Sequence, residues 1–223
     1  MLDFILFIVL SIIESSALFY LGFKLFKIDI YSKEIIFAGI IMAFFSYTLR
    51  NIYQLPEVDI LIQYILIICF LWLLFRIHIF YAFIMTVISY QAYLLVQSML
   101  YLVIDYSGIY KLNYPTINTG IYLLQILTAT ATFIISNYIS KKRKGFDFIP
   151  DKPDAKIMIG KRERFMFILT FPSIIFVMLM LFFAEHLFKF FFIIPLVYAL
   201  ILFGYLYQSD KKNRGDEFEQ FGP

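Results

Sequence analysis

The chain has 223 residues, 62% of them hydrophobic, with 28 Phe, 17 Tyr and a formal net charge of only +3. Soluble domains average about 45–50% apolar residues, and a globule of this size has too little interior to hide the excess, so an ordinary water-soluble domain is excluded. The modest, locally concentrated charge argues against a nucleic-acid surface, and the single cysteine, Cys69, excludes an internal disulfide or a four-cysteine zinc site.

The surplus apolar surface is expected to face lipid, which predicts an all-α, polytopic integral membrane helix bundle. The first apolar run has no Lys or Arg before it and contains Asp3 and Glu14. It therefore reads as a retained span rather than a signal peptide, despite Ser15-Ser16-Ala17. About 20 apolar residues cross about 30 Å of hydrocarbon, and seven runs meet that length: Leu2–Phe23, Lys33–Tyr53, Val58–Phe75, Ile79–Ile104, Ile117–Ile139, Phe165–Ala184 and Leu187–Tyr207. Only Arg76-Ile77-His78 separates the third run from the fourth, so a tight turn is expected there. The bundle then occupies residues 1–207, with a basic loop at 140–164 inside it and a short charged tail at 208–223.

The longest polar stretch, KKRKGFDFIPDKPDAKIMIGKRER from Lys141 to Arg164, sets the orientation. With the N-terminus outside, sixteen of the nineteen Lys and Arg residues fall on the inner side, and only Arg50, Lys111 and Lys189 fall outside. Cytoplasmic loops carry the cationic excess, so the expected topology is N-out, C-in. The KKRK run also suits anionic lipid, and Pro153-Asp154 predicts the start of a short helix over Ala155–Phe165. Ser107-Gly108 and Tyr114-Pro115 mark an outer turn.

Glu14 is the polar residue that stands out, because it lies near the middle of span one. A carboxyl at that depth is either a structural hydrogen-bonding group between helices or a ligand or proton contact. No Lys or Arg is expected at its depth to pair with it, and Ser11 and Ser15 share its face. In span four, Thr86, Tyr90, Tyr93, Gln97 and Tyr101 fall on one stripe at about 100° per residue, with Gln91, Ser98 and Asp105 on a second line. Gln125, Thr128, Thr132 and Ser136 answer them from span five, and Gln63 of span three is expected to join. These polar faces read either as interhelical packing or as the lining of a cavity. The candidate ligand-binding residues are thus Glu14, Tyr90, Tyr93, Gln97, Gln125 and Thr128. Pro172 and Pro195 are expected to kink spans six and seven.

No HExxH, GxSxG or GxxxxGK motif is present, so no catalytic residue, metal or cofactor is expected. Cys69 and His78 invite comparison with membrane peptide-processing proteases. Nine residues put them about 13 Å apart along a straight helix, too far for a thiolate–imidazole pair unless the chain folds back. In layout, spans one to four, with LWLLFRIHIFYAFI and the following SYQAYLLVQ, resemble the membrane sensor part of accessory-gene-regulator-type peptide-responsive histidine kinases. The resemblance implies six or seven spans and an extracellular peptide site, while the kinase of that family has no counterpart in this sequence. The expected function is a non-enzymatic, receptor-like or regulatory protein of a bacterial inner membrane that binds a hydrophobic ligand or peptide between spans one, four and five. A small transporter or transporter accessory subunit using Glu14 is the alternative. Expected partners are the lipid bilayer, that ligand, and a membrane protein or second copy of the chain, but not nucleic acid.

Overall fold

The computed structural model describes residues 2–107 and 119–142, residues 145 and 146, and isolated positions between 164 and 204. Among these the chain is mostly helical and has no strand. Five helices follow in order: α1 Leu2–Leu25, α2 Ser32–Tyr47, α3 Pro56–Cys69, α4 Ile79–Ser107 and α5 Thr119–Lys141. A wider π turn prolongs α2 over Thr48–Ile52, and another prolongs α3 over Phe70–Leu74.

The helices end by closing their own last carbonyls, which matters where no water can do so. At the end of α1, Ile28 N–H donates to the Phe23 carbonyl at 2.9 Å, with Lys27 in left-handed conformation at φ 54°. This is a Schellman-type exit with a non-glycine residue at its turning point. The two π turns end alike. Tyr53 N–H reaches the Thr48 carbonyl at 3.1 Å and Leu55 N–H the Leu49 carbonyl at 2.9 Å, while Gln54 takes φ 55°. Phe75 and Ile77 repeat the pattern on Phe70 and Leu71 at 3.1 and 2.9 Å, with Arg76 at φ 56°. The second of these exits is the tight turn expected at Arg76-Ile77-His78, so the third and fourth apolar runs are separate helices. Pro56, which has no N–H to satisfy, opens α3.

α1 is the central element, packing most extensively on α2 and α5 and then on α4. Its buried Leu18, Phe19, Leu21, Phe23 and Phe26 form one core with Ala38 and Met42 of α2, Ile67 and Leu71, and Ala82, Ile84, Met85 and Ile88 of α4. Phe4 and Phe7 set their ring edges on Tyr47, 4.6 and 5.5 Å between centroids, so the start of α1 meets the end of α2. At the opposite end of the bundle, Tyr20 donates to Asn137 Oδ1 at 2.6 Å. Beyond α5 the chain folds back: Phe146 N–H donates to the Leu25 carbonyl at 2.7 Å, and its buried ring stacks on Phe26 at 5.0 Å. Lys24, Lys27, Lys141 and Lys142 therefore share one end.

The distribution of side chains is the reverse of a soluble protein's. Phe37, Ile40, Phe44, Leu73, Val103 and Ile134 are exposed, whereas Asp59, Gln91, Thr128, Thr132 and Ser136 are buried. Water penalises that arrangement and hydrocarbon favours it. Among the described residues, four helical stretches are long and apolar enough to cross a membrane: Phe4–Leu25, Ser32–Ile52, Ile79–Ile104 and Tyr122–Lys141. Val58–Leu74 is a shorter apolar helix.

Most of the expected spans six and seven, including Pro195, lies outside the described residues, as do His186, the expected helix at 155–165, the turn at 107–116 beyond Ser107, and the tail. Of the isolated helical positions, Phe167 packs on Phe80 and Phe83 of α4 at 5.0 and 5.3 Å.

Candidate functional site

Glu14 lies twelve residues into α1, about 18 Å along its axis, and two other helices reach it. Tyr93 of α4 donates its hydroxyl to Glu14 Oε1 at 3.0 Å. Gln125 of α5 donates Nε2 to Glu14 Oε2 at 3.1 Å. Tyr93 is 3% exposed and Gln125 8%, while Glu14 itself is half-buried. Each carboxyl oxygen thus accepts one hydrogen bond, and hydrogen bonds to a charged group in a low-dielectric interior are about twice as strong as neutral ones. Ser11, one turn before Glu14, is buried.

The remaining candidates stand differently. Thr128 is buried one turn beyond Gln125, but its hydroxyl donates to the Leu124 carbonyl of its own helix at 2.7 Å. Tyr90 lies one turn from Tyr93 with its ring 4.3 Å from that of Tyr64. Gln97 is half-buried one turn further along α4, outside the hydrogen bonds that join at Glu14. Thr86 and Ser136 likewise donate to carbonyls of their own helices, Ala82 at 2.8 Å and Thr132 at 2.6 Å. In apolar surroundings a short hydroxyl side chain finds its nearest acceptor four residues back.

Gln63 departs from expectation. It does not join α4 and α5 but turns toward α2, donating Nε2 to the Met42 carbonyl and to Asp59 Oδ1, both at 3.1 Å. The cause is Asp59, one turn earlier on α3 and fully buried, which sequence reasoning passed over. Asp59 Oδ2 accepts from Ser46 at 3.0 Å and forms an ion pair with Arg50 Nε. Arg50 is therefore not just an outward topology anchor. The available signal was an Arg and an Asp nine residues apart across a short turn, a spacing that lets two antiparallel helix ends pair.

The α2–α3 hairpin brings Arg50 in from the turn onto Asp59, and not onto Glu14. The polar interior thus holds two carboxyls and one guanidinium. Buried atoms without a hydrogen-bond partner among the described residues include Gln125 Oε1, Ser89 Oγ and Thr132 Oγ1. The first belongs to the amide that already holds Glu14.

Cys69 is half-buried at the last position of α3, and His78 is exposed before α4, with its Nδ1 accepting from Phe80 N–H at 3.3 Å. Among the described residues no three His, Cys, Asp or Glu side chains group as a metal site would require. Fold and site together define an apolar helical bundle, compatible with a membrane, whose interior polarity gathers on two carboxyls, Glu14 and Asp59. Comparison with protein-family models, curated proteins and solved structures gives no match for the chain.

Proposed function

We propose that this protein is a seven-span, N-out and C-in receptor-like or regulatory protein of a bacterial inner membrane, and that it holds a hydrophobic ligand or peptide between α1, α4 and α5. The observation that carries this reading is the convergence of Tyr93 and Gln125 on Glu14 from two different helices. A carboxyl at mid-helix depth is costly in hydrocarbon and is kept where it binds something or holds helices together. Here each oxygen carries one donated hydrogen bond, so each keeps acceptor capacity that a ligand can use. The resemblance to peptide-responsive sensors fits the same reading. The ligand's apolar part would lie against the helices, and any signal would leave through a partner or the Lys141–Arg164 loop.

The experiment is photolabelling of the full chain in lipid nanodiscs with alkyl-diazirine probes, followed by mapping of the labelled peptides. Saturable labelling of the Glu14, Tyr93 and Gln125 segments is expected, whereas uniform labelling of the lipid-facing residues would reject the site.

A second reading, a small transporter, would use Glu14 together with the buried Asp59–Arg50 pair as the charged groups of the polar interior. Flux into reconstituted vesicles that Glu14→Gln abolishes would favour it over the receptor, which binds without flux.

A further inference from the structure

Resting on that ligand-binding reading, we propose that the ligand presents a primary ammonium group to Glu14 and Gln125, on an otherwise apolar body. The free hydrogen-bonding capacity at this point consists of acceptors. Glu14 carries one donated bond on each oxygen, from Tyr93 at 3.0 Å and Gln125 at 3.1 Å, and a carboxylate oxygen takes two. Gln125, 92% buried by its 8% exposure, leaves Oε1 without a partner among the described residues. A buried acceptor without a donor is costly, and a ligand N–H removes that cost.

Charge separates an ammonium from a neutral donor. The Arg50 guanidinium is ion-paired with Asp59, which leaves the Glu14 carboxyl to a cationic group of the ligand. An ammonium beside that carboxyl favours its ionised form. A divalent metal is poorly served, since calcium takes six to eight oxygens and usually several carboxylates, and no such cluster occurs among the described residues. An ammonium offers three N–H donors, enough for Glu14 and Gln125 Oε1 together. Buried Leu10, Ala17 and Leu18 on α1 and Leu124 and Ala129 on α5 flank the site and offer apolar surface to the ligand's body, while the neighbouring Thr128 hydroxyl is already engaged by the Leu124 carbonyl of its own helix.

The test uses two diazirine probes of equal chain length, one ending in a primary amine and the other in an alcohol, on the full chain in nanodiscs. The amine is expected to label the α1, α4 and α5 segments saturably, at a concentration about tenfold below the alcohol. Glu14→Gln should remove that preference, read as the ratio of the amine and alcohol concentrations that give half-maximal labelling. The variant is expected to fold, because Gln125 can turn its unpartnered Oε1 toward the new amide. If it does not fold, Gln125→Met carries the test: it keeps the side-chain length, removes the acceptor, and should lower the amine preference several-fold. Saturable labelling by both probes at equal concentrations, or an amine preference that survives both substitutions, overturns the ammonium assignment while the ligand site stands. Absence of saturable labelling by either probe overturns both.

Discussion

Gly145 sits where the basic segment folds back onto the end of α1. Its φ of 144° lies in a region that L side chains rarely adopt, and a Cβ there would run into the Leu25 carbonyl. That carbonyl cannot swing aside, since it accepts the Phe146 N–H at 2.7 Å. Gly145→Ala is therefore expected to cost about 1–3 kcal/mol, read as a lower thermal midpoint in detergent, together with protease access beside Phe146. The same substitution at Gly22, where the nearest atom is the mobile Ser89 hydroxyl, should cost less, because a side chain can rotate and a backbone carbonyl cannot. Residue chemistry at Glu14 was legible in the sequence because an acid inside an apolar run is conspicuous. Its partners were legible only as faces: the stripe on span four named Tyr90, Tyr93 and Gln97 alike, and side-chain reach selects Tyr93.

At the scale of elements, the α2–α3 hairpin depends on Asp59. Its carboxyl is buried and takes Ser46, Gln63 and Arg50 at once. Asp59 is buried while Arg50 is about a third exposed; removing the carboxyl strips Ser46 and Gln63 of a buried acceptor, which costs about 1–3 kcal/mol per unsatisfied group, while replacing both charged residues by apolar ones is often near neutral. Asp59→Ala should therefore destabilise the protein strongly, and Asp59→Leu combined with Arg50→Met should recover most of the loss. Equilibrium unfolding in mixed micelles, run as a double-mutant cycle, measures the coupling; additive losses would show that the pair contributes little. Sequence reading placed the helices within a few residues of their observed ends because a long apolar run between turn signals leaves few alternatives. It missed the pair because opposite charges across a turn do not disturb the apolar period, and it misdirected Gln63 because the polar face of a helix does not name the neighbour it meets.

For the whole molecule, the proposed N-out, C-in orientation predicts which end labels from outside. Phe146 ties Lys141 and Lys142 to the end of α1 that carries Lys24 and Lys27, and such clusters belong on the cytoplasmic side. In a Cys69→Ser background, a cysteine placed at Asn51 should react with an impermeant maleimide in intact cells, and one placed at Lys142 should react only after the membrane is opened. The reverse pattern would invert the topology and turn the Arg50–Asp59 end inward. The sequence by itself determined the class of solvent, the helical architecture and the suspicion attached to Glu14. Those follow from composition and from the spacing of polar residues along single helices, which are local quantities. Only the tertiary structure decided that Tyr93 and Gln125 share that carboxyl, that Gln63 serves Asp59 instead, and that Arg50 pairs with Asp59. Each depends on how far one helix is rotated and shifted against another, and that relative placement is fixed by the joint packing of α1 with α2, α4 and α5, which no single segment encodes.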